Sequence, residues 1–199
     1  MNTAIFWLLD GYADWEGAYL SSRLHQSPDW QVKTASLTAG RCVSMGGFTT
    51  MVDYGLADLP DHVDVLVLLG GLGWDIDHPA LSRLIGQYLA QGVKVGALCG
   101  AVDYLAKHGH LNQFKHTGNA LAAWQDMAGY QNAAGFVPEQ VVVDRHLITA
   151  NGTAAVDFSA AMLIALGQGS AAAIAQEHAL FKVGYYDYRA QHGDPYAAS

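Results

Sequence analysis

The segment at residues 64–69, Asp-Val-Leu-Val-Leu-Leu, limits the possible folds of this chain more than any other feature. Every side chain after the aspartate is apolar, so the strand that these residues predict needs cover on both faces. Such strands are typical of the centre of a parallel sheet between two layers of helices. Gly70-Gly71 follows at once and indicates a tight turn at the carboxyl end of the strand. The segment therefore predicts a central parallel strand in an α/β protein.

Short apolar runs and helix-like segments alternate along the rest of the chain. Strands are predicted at residues 4–9, 31–37, 94–98, 140–143 and 146–150, and a hairpin at 41–52. Helices are predicted at 14–26, 79–91, 100–107, 120–128, 154–166 and 171–181, and the tail from 185 is predicted to be partly mobile. This alternation indicates a three-layer α/β/α sandwich with a mostly parallel, flavodoxin-like sheet and a small hairpin.

The composition narrows the class of protein. A chain of 199 residues with 51% hydrophobic residues can bury one substantial core, so a single domain is expected over residues 1–199. Only 14% of the residues are charged, which leaves a neutral surface that a partner subunit could cover. The net charge of −8 opposes binding to nucleic acid or to an anionic membrane.

The termini and the cysteines indicate a cytoplasmic protein. The first residues, Met-Asn-Thr, have no basic region, and the apolar run at 4–9 is too short for a signal peptide or a membrane span. The chain has two cysteines, Cys42 and Cys99, which are far apart and form no CxxC motif. A disulfide framework is therefore not expected.

Cys99 stands between a strand-like run at 94–98 and a helix-like run at 100–107. Ala97 and Ala101 are small enough for a sharp turn that would hold the cysteine in a strained, accessible conformation. The helix N-terminus that follows would favour a thiolate with a low pKa. The alternative, that Cys99 is a small buried hydrophobe as most free cysteines are, stays open on this pattern alone. Cys42, in the hairpin, has no such surroundings and is predicted to be inert.

Ligands of open α/β sheets bind at the carboxyl ends of the strands, so the residues that follow each strand are the informative ones. Three places stand out: residues 10–16, 69–74 and 99–100. The second contains Gly-Leu-Gly-Trp-Asp-Ile at 71–76, which lacks the third glycine of a dinucleotide-binding GxGxxG motif. No cofactor is predicted.

Together these places resemble the ThiJ/PfpI family, which includes the parkinsonism-associated deglycase and has the class I glutamine amidotransferase-like fold. The similar segments are, in order, Leu-Asp-Gly-Tyr-Ala-Asp-Trp-Glu at 9–16, Val-Leu-Val-Leu-Leu-Gly-Gly at 65–71, Gly-Ala-Leu-Cys-Gly-Ala at 96–101 and Leu-Ile-Thr-Ala-Asn-Gly-Thr-Ala-Ala-Val-Asp-Phe at 147–158. Four such segments in the same order cover nearly the whole chain.

The resemblance implies roles for several residues. Cys99 would be the nucleophile, and Glu16 the acidic residue beside it, kept protonated by burial so that it can donate a hydrogen bond to the thiolate. The backbone N–H groups of Gly71 and Gly100 would form an oxyanion hole. Asp14 is a second candidate carboxylate and equally a candidate N-cap of the first helix.

The sequence departs from the family at a histidine. Many relatives have a histidine after the helix that follows the cysteine, and the matching position here is Asn119. His116, three residues earlier, is either a substitute base or a surface loop residue. A metal site built from His108, His110 and His116 is not expected, because no cysteine or carboxylate lies at ligand spacing.

Aromatic residues near the glycine turns are candidates for the substrate pocket. Trp74, Trp15 and Tyr12 would flank it, together with Asn119, although each aromatic side chain could equally belong to the core. The expected partners are a small-molecule substrate and, from the family and the low charge, a second copy in a homodimer.

Three functions fit these features. The first is a cysteine-dependent hydrolase or lyase, of which the family implies glyoxalase, deglycase, amidase, peptidase and isonitrile hydratase types. The second is a stress-response protein that senses oxidants through Cys99. The third is a ligand-binding module that has lost the chemistry.

Overall fold

A seven-stranded sheet forms the centre of the computed structural model, which describes residues 1–197. The strands are β1 (Asn2–Trp7), β2 (Trp30–Ser36), β3 (Gly40–Val43), β4 (Thr49–Val52), β5 (Tyr54–Gly55), β6 (Val65–Leu68), β7 (Lys94–Leu98), β8 (Val141–Asp144) and β9 (Leu147–Ala150). The sheet has the order β5-β2-β1-β6-β7-β9-β8, and β3 pairs with β4 in a separate hairpin. Only β8, on β9, is antiparallel within the seven strands.

Helices cover both faces of the sheet. They are α1 (Asp14–His25), α2 (Pro79–Gln91), α3 (Gly100–Lys107), α4 (Ala155–Ala165), α5 (Ala171–Val183) and α6 (Tyr185–His192), with short 3-10 turns at Leu72–Trp74, Leu121–Trp124 and Ala133–Gly135. The three-layer α/β/α sandwich predicted from the alternating pattern is confirmed. In the described part of the chain, none of these helices has the length and apolar character needed to cross a membrane.

The central strands are buried on both faces, as their composition requires. In β1, Ile5 and Trp7 pack into one apolar cluster with α2 and α3, whereas Ala4 and Phe6 pack into a second cluster with α1 and α4. The residues of β6 divide in the same way. Because side chains alternate between the faces of a strand, a continuous apolar run supplies both clusters at once.

The strand order creates a crevice at the carboxyl end of β1. The chain leaves β1 towards β2 on one side and returns to β6 on the other, so the loops after β1 and β6 diverge there. Backbone hydrogen bonds join these two loops: Ala13 N–H donates to the Gly70 carbonyl and Leu72 N–H to the Gly11 carbonyl, each at 3.0 Å. The next parallel strand, β7, leads directly into Cys99.

One sequence prediction about local structure is wrong, and one segment contains more regular structure than its sequence indicates. The helix expected at 120–128 is only the 3-10 turn Leu121–Trp124. Trp124 is fully buried there, and its indole N–H donates to Asp103 at 2.6 Å. The tail from residue 185, expected to be partly mobile, contains the helix α6. Tyr188 is 5% exposed and holds α6 against the preceding structure, while Arg189 lies over the Tyr185 ring one turn earlier.

Candidate active site

Cys99 occupies the sharp turn between β7 and α3. Its backbone angles, φ 51° and ψ −125°, lie in a region that side chains other than glycine rarely adopt, at a cost of roughly 1–3 kcal/mol. The turn is fixed on both sides: Cys99 N–H donates to the Ala150 carbonyl at 3.1 Å, and Val102 N–H donates to the Cys99 carbonyl at 2.9 Å. The strained turn predicted from the sequence is therefore present, and its thiol is partly exposed.

Glu16 lies in the first turn of α1 and is only 1% exposed. Its Oε2 accepts a hydrogen bond from Gly70 N–H at 2.6 Å, while Oε1 is buried and has no hydrogen-bond partner among residues 1–197. Burial raises the pKa of this carboxyl to about 7, although the hydrogen bond from Gly70 lowers it in part. Glu16 can thus carry or release a proton near neutral pH.

Two glycines allow the Cys99 thiol and the Glu16 carboxyl to come together. A Cβ at Gly70 would lie 2.5 Å from the Cys99 Cβ and 2.8 Å from Glu16 Oε2. A Cβ at Gly152 would lie 3.0 Å from Cys99 Sγ and 3.5 Å from Glu16 Oε1. Sγ and Oε1 therefore border the same small space beside Gly152. Any side chain at position 70, and most at 152, would force these groups apart.

Gly71 and Gly100, whose N–H groups are predicted to form an oxyanion hole, approach each other at the turn that carries Cys99. Gly71 has φ 126°, and a Cβ on Gly100 would lie 2.8 Å from the Gly71 carbonyl oxygen. Within residues 1–197, neither the Gly71 N–H nor the Gly100 N–H donates a hydrogen bond. Both N–H groups are therefore unpaired within the described part of the chain.

Asn119 contacts the thiol at the position where many relatives have a histidine. Its side-chain N–H donates to Cys99 Sγ at 3.2 Å, and its side-chain oxygen accepts from Gly152 N–H at 3.0 Å. The second bond fixes the orientation of the amide. The exposed Trp15 also binds this loop, because its indole N–H donates to the Gly152 carbonyl at 3.1 Å. Asn119 thus contacts the thiol and Trp15 binds the adjoining loop at Gly152, a residue that the sequence does not single out.

His116 does not reach the thiol, which argues against its role as a substitute base. It is fully buried, its Nδ1 is 2.8 Å from the Phe114 carbonyl oxygen, and its Nε2 is 2.8 Å from the Tyr130 hydroxyl. The rings of Trp124 and Phe136 surround it. The alternative of a surface loop residue is equally wrong, since His116 is a core histidine with both ring nitrogens in use.

Two further candidates support the hairpin. The carboxylate of Asp14 accepts from Gly46 N–H at 2.7 Å, so Asp14 is neither a partner of Cys99 nor the N-cap of α1, which is Ala13. Tyr12 is 8% exposed, and its hydroxyl lies 2.7 Å from that of Thr50 in β4. Tyr12 therefore packs beneath the hairpin and does not flank the pocket.

The other residues named from the sequence also have defined places. Cys42 is 3% exposed, and burial together with the nearby Asp10 raises the pKa of its thiol to about 11. Trp74 is 4% exposed and lies against Gly100. His110 is 2.9 Å from the Ser82 hydroxyl, and the His108 ring packs at a tilt against the Tyr104 ring. Over the part of the chain that is described, no group of three or more His, Cys, Asp or Glu residues is placed to bind a metal.

Comparison with known proteins agrees with the resemblance in the four segments. The model of the DJ-1/PfpI family matches residues 2–165. The chain is 39% identical over 196 residues to the "Uncharacterized protease YdeA" of Bacillus subtilis (strain 168), covering 98% of this chain and 99% of that protein. A second protein of that organism, "Uncharacterized protease YoaZ", is 32% identical over 162 residues, which are 76% of this chain and 77% of that one.

Solved structures show the same fold. A thiJ/pfpI family protein from Bacillus anthracis superposes with a TM-score of 0.88 at 28% identity, covering 96% of each chain. A DJ-1 superfamily protein from Agrobacterium tumefaciens superposes with a TM-score of 0.84 at 30% identity, covering 92% of this chain and 98% of that one. The strained cysteine, the buried glutamate and the paired glycines thus stand in a matching scaffold, and the chain belongs to the DJ-1/PfpI family.

Proposed function

We propose that this protein is a cysteine-dependent enzyme that acts on a small carbonyl compound, with Cys99 as nucleophile. The observation that carries the proposal is the pairing of Cys99 at a strained turn with Glu16, a buried carboxyl whose pKa is raised to about 7. A nucleophile beside a group that can both donate and accept a proton near neutral pH is the minimum that covalent carbonyl chemistry requires.

The proposed first step is addition to the carbonyl group. The thiolate of Cys99 forms an S–C bond to the carbonyl carbon, and the electrons of the C=O π bond move to the oxygen. That oxygen accepts hydrogen bonds from the N–H groups of Gly71 and Gly100. It then takes the proton of the Glu16 carboxyl, which gives a neutral hemithioacetal. Glu16 is then a carboxylate and can serve as the base of the next step.

Carbonyl addition suits this site better than peptide cleavage, although both Bacillus subtilis relatives are named as uncharacterized proteases. Cleavage of an amide needs an acid to protonate the leaving amine, and a histidine usually provides it. In this protein Asn119 contacts the thiol at the position of that histidine, and its amide cannot donate a proton to a leaving group. Addition to an aldehyde expels no amine, so Glu16 alone is sufficient.

Sensing of oxidants is the second candidate function. The observation that favours it is the set of donors around the sulfur, namely the Asn119 amide and the free N–H groups of Gly71 and Gly100. These donors would stabilise the oxygen atoms of a sulfenate or sulfinate as well as those of a carbonyl adduct. This function requires no histidine and no turnover.

The two functions are separated by measuring the loss of methylglyoxal with wild type, Cys99→Ser and Glu16→Gln, and with Cys42→Ser as the control. The enzyme proposal predicts turnover by wild type and the control, none with Cys99→Ser, and a loss of roughly 10²–10⁴-fold with Glu16→Gln. In parallel, mass spectrometry after mild peroxide treatment locates any oxidation. No turnover of methylglyoxal or longer aldehydes, together with selective oxidation of Cys99, would refute the enzyme and support the sensor.

A further inference from the structure

A cavity of about 380 Å³ lies beside the elbow, between the 3-10 turn Leu72–Trp74 and the helix α3. Its lining is mostly apolar, and the surface that it offers is dominated by carbon atoms. The residues that form its walls and mouth include Gly71, Leu72, Trp74, Gly100, Tyr104 and Met127. Its volume is of the size that pockets for small molecules have in proteins.

The aromatic walls of this cavity are held in place by hydrogen bonds directed away from it. The Trp74 indole N–H donates to the Leu69 carbonyl at 2.7 Å, and the Tyr104 hydroxyl donates to the His78 carbonyl at 3.0 Å. The two rings pack against each other with their centroids 5.3 Å apart. Since the polar atoms of both side chains are already satisfied, the rings present apolar surface to the cavity without movement.

The cavity reaches the site at the two glycines whose N–H groups are free. Gly71 and Gly100 both line it, and Gly100 directly follows Cys99 in the chain. A Cβ at Gly100 would lie only 3.4 Å from the Trp74 ring, so the elbow and the aromatic wall are in contact. Gly71 and Gly100 thus border the cavity on one side and adjoin the turn that carries Cys99 on the other.

The charges at the cavity favour a neutral occupant. The carboxyl of Asp103 lines it and accepts from the Trp124 indole at 2.6 Å, while Asp75 stands exposed at the mouth. The one cation of the lining, Lys107, already donates to the Ile76 carbonyl at 3.2 Å and lies 3.7 Å from Asp75. A negatively charged group would meet two carboxylates and a cation that is already paired.

We propose that this cavity binds the substituent of the substrate of Cys99, and that this substituent is neutral and apolar, either aromatic or branched alkyl. The inference rests on the proposed function, because it concerns the part of the proposed carbonyl substrate that does not react and places that part in the cavity. Burial of a ring of this kind stabilises the complex by roughly 10- to 100-fold in affinity. The enzyme would therefore favour arylglyoxals and branched aldehydes over methylglyoxal.

Alkylation of Cys99 tests the cavity without any need for turnover. Rates are measured with iodoacetamide and with N-benzyl iodoacetamide, which place the same electrophile on the thiol and differ in the ring. We expect the ratio of the benzyl rate to the iodoacetamide rate to exceed the same ratio for glutathione by roughly tenfold or more. A ratio equal to that of glutathione would overturn the inference.

A matched pair of variants locates the effect. Ala123 lines the cavity and is exposed, and Ala122 is an exposed neighbour in the same 3-10 turn that does not line it. We expect Ala123→Phe to reduce the ratio to that of glutathione and Ala122→Phe to keep the wild-type ratio. An equal response of the two variants would contradict the location. Because both positions are exposed, neither substitution disturbs the core.

A charged reagent tests the second half of the inference. A carboxylate on the ring of the benzyl reagent should cancel most of the rate advantage over iodoacetamide. Asp103→Asn should restore part of that rate advantage, because it removes one negative charge from the cavity. The variant should keep its fold, since the asparagine oxygen can still accept from the Trp124 indole. A carboxylated ring that reacts as fast as the neutral ring would refute the assignment of a neutral substituent. A benzyl preference without turnover of phenylglyoxal would leave the cavity supported and the proposed enzyme refuted.

Discussion

Glu16→Gln should change how the stability of the protein depends on pH. In the folded protein, burial raises the pKa of the Glu16 carboxyl to about 7, against an ordinary value of 4.5. A carboxyl with a raised pKa holds its proton more tightly when folded than when unfolded, so folding becomes less favourable as the pH rises above 4.5. The loss is complete only above the folded pKa of about 7.

The size of this loss follows from the two pKa values. A tenfold change in proton affinity corresponds to about 1.4 kcal/mol, so the difference between 4.5 and about 7 corresponds to roughly 3 kcal/mol. Glutamine has nearly the same shape, can accept from Gly70 N–H and does not titrate. Relative to wild type, the free energy of unfolding of Glu16→Gln should therefore rise by roughly 3 kcal/mol between about pH 4 and about pH 8.

Urea denaturation at a series of pH values measures this difference directly. Both proteins should carry Cys99→Ala, so that ionisation of the thiol does not contribute. Glu139→Gln is the matched control, because Glu139 is exposed and its variant should follow the wild-type curve at every pH. Curves for Glu16→Gln and wild type that run parallel over the whole range would refute the claim that Glu16 is held protonated.

Three other predictions concern packing, the site and assembly. Gly152→Ala places a methyl group 3.0 Å from Cys99 Sγ, so the rate of alkylation by iodoacetamide should fall by roughly tenfold while the circular dichroism spectrum is unchanged; an unaltered rate would show that the space beside Gly152 is not used. Gly96→Ala places a Cβ 2.6 Å from the Phe158 ring in the core, so it should lower the free energy of unfolding in urea by roughly 1–3 kcal/mol, and a neutral effect would contradict the close approach of α4 to β7. Light scattering should give twice the mass of one chain if the low surface charge reflects a homodimer, and a monomer at micromolar concentration would contradict it.

The sequence predicts the sheet well because its signal is local. The run at 64–69 and the alternation of strands with helices depend on residues that are neighbours in the chain, and the structure has these elements within a few residues of their predicted bounds. The strained turn at Cys99 is equally local, since small residues and a change from strand to helix stand side by side. Both features are visible without any knowledge of distant contacts.

The environment of the site depends on contacts that are far apart in sequence, and here sequence analysis fails. The burial of His116 follows from a cage formed with Tyr130 and Phe136, which no local pattern near His116 reveals. The position of Trp124 is likewise set by a distant carboxyl, that of Asp103, which accepts from the indole N–H. Gly152 could have been found, because an Asn-Gly pair after the strand β9 lies at the same edge as Cys99.

The most direct test of an activated thiol at Cys99 is its rate of reaction with iodoacetamide at about pH 6, where ordinary thiols are almost entirely protonated. Cys42→Ser isolates Cys99, and Cys99→Ser isolates Cys42, whose pKa is raised to about 11. We expect Cys99 to react roughly tenfold or more faster than glutathione and Cys42 to remain unlabelled. Equal labelling of the two cysteines, or a Cys99 rate no higher than that of glutathione, would contradict an activated nucleophile at Cys99.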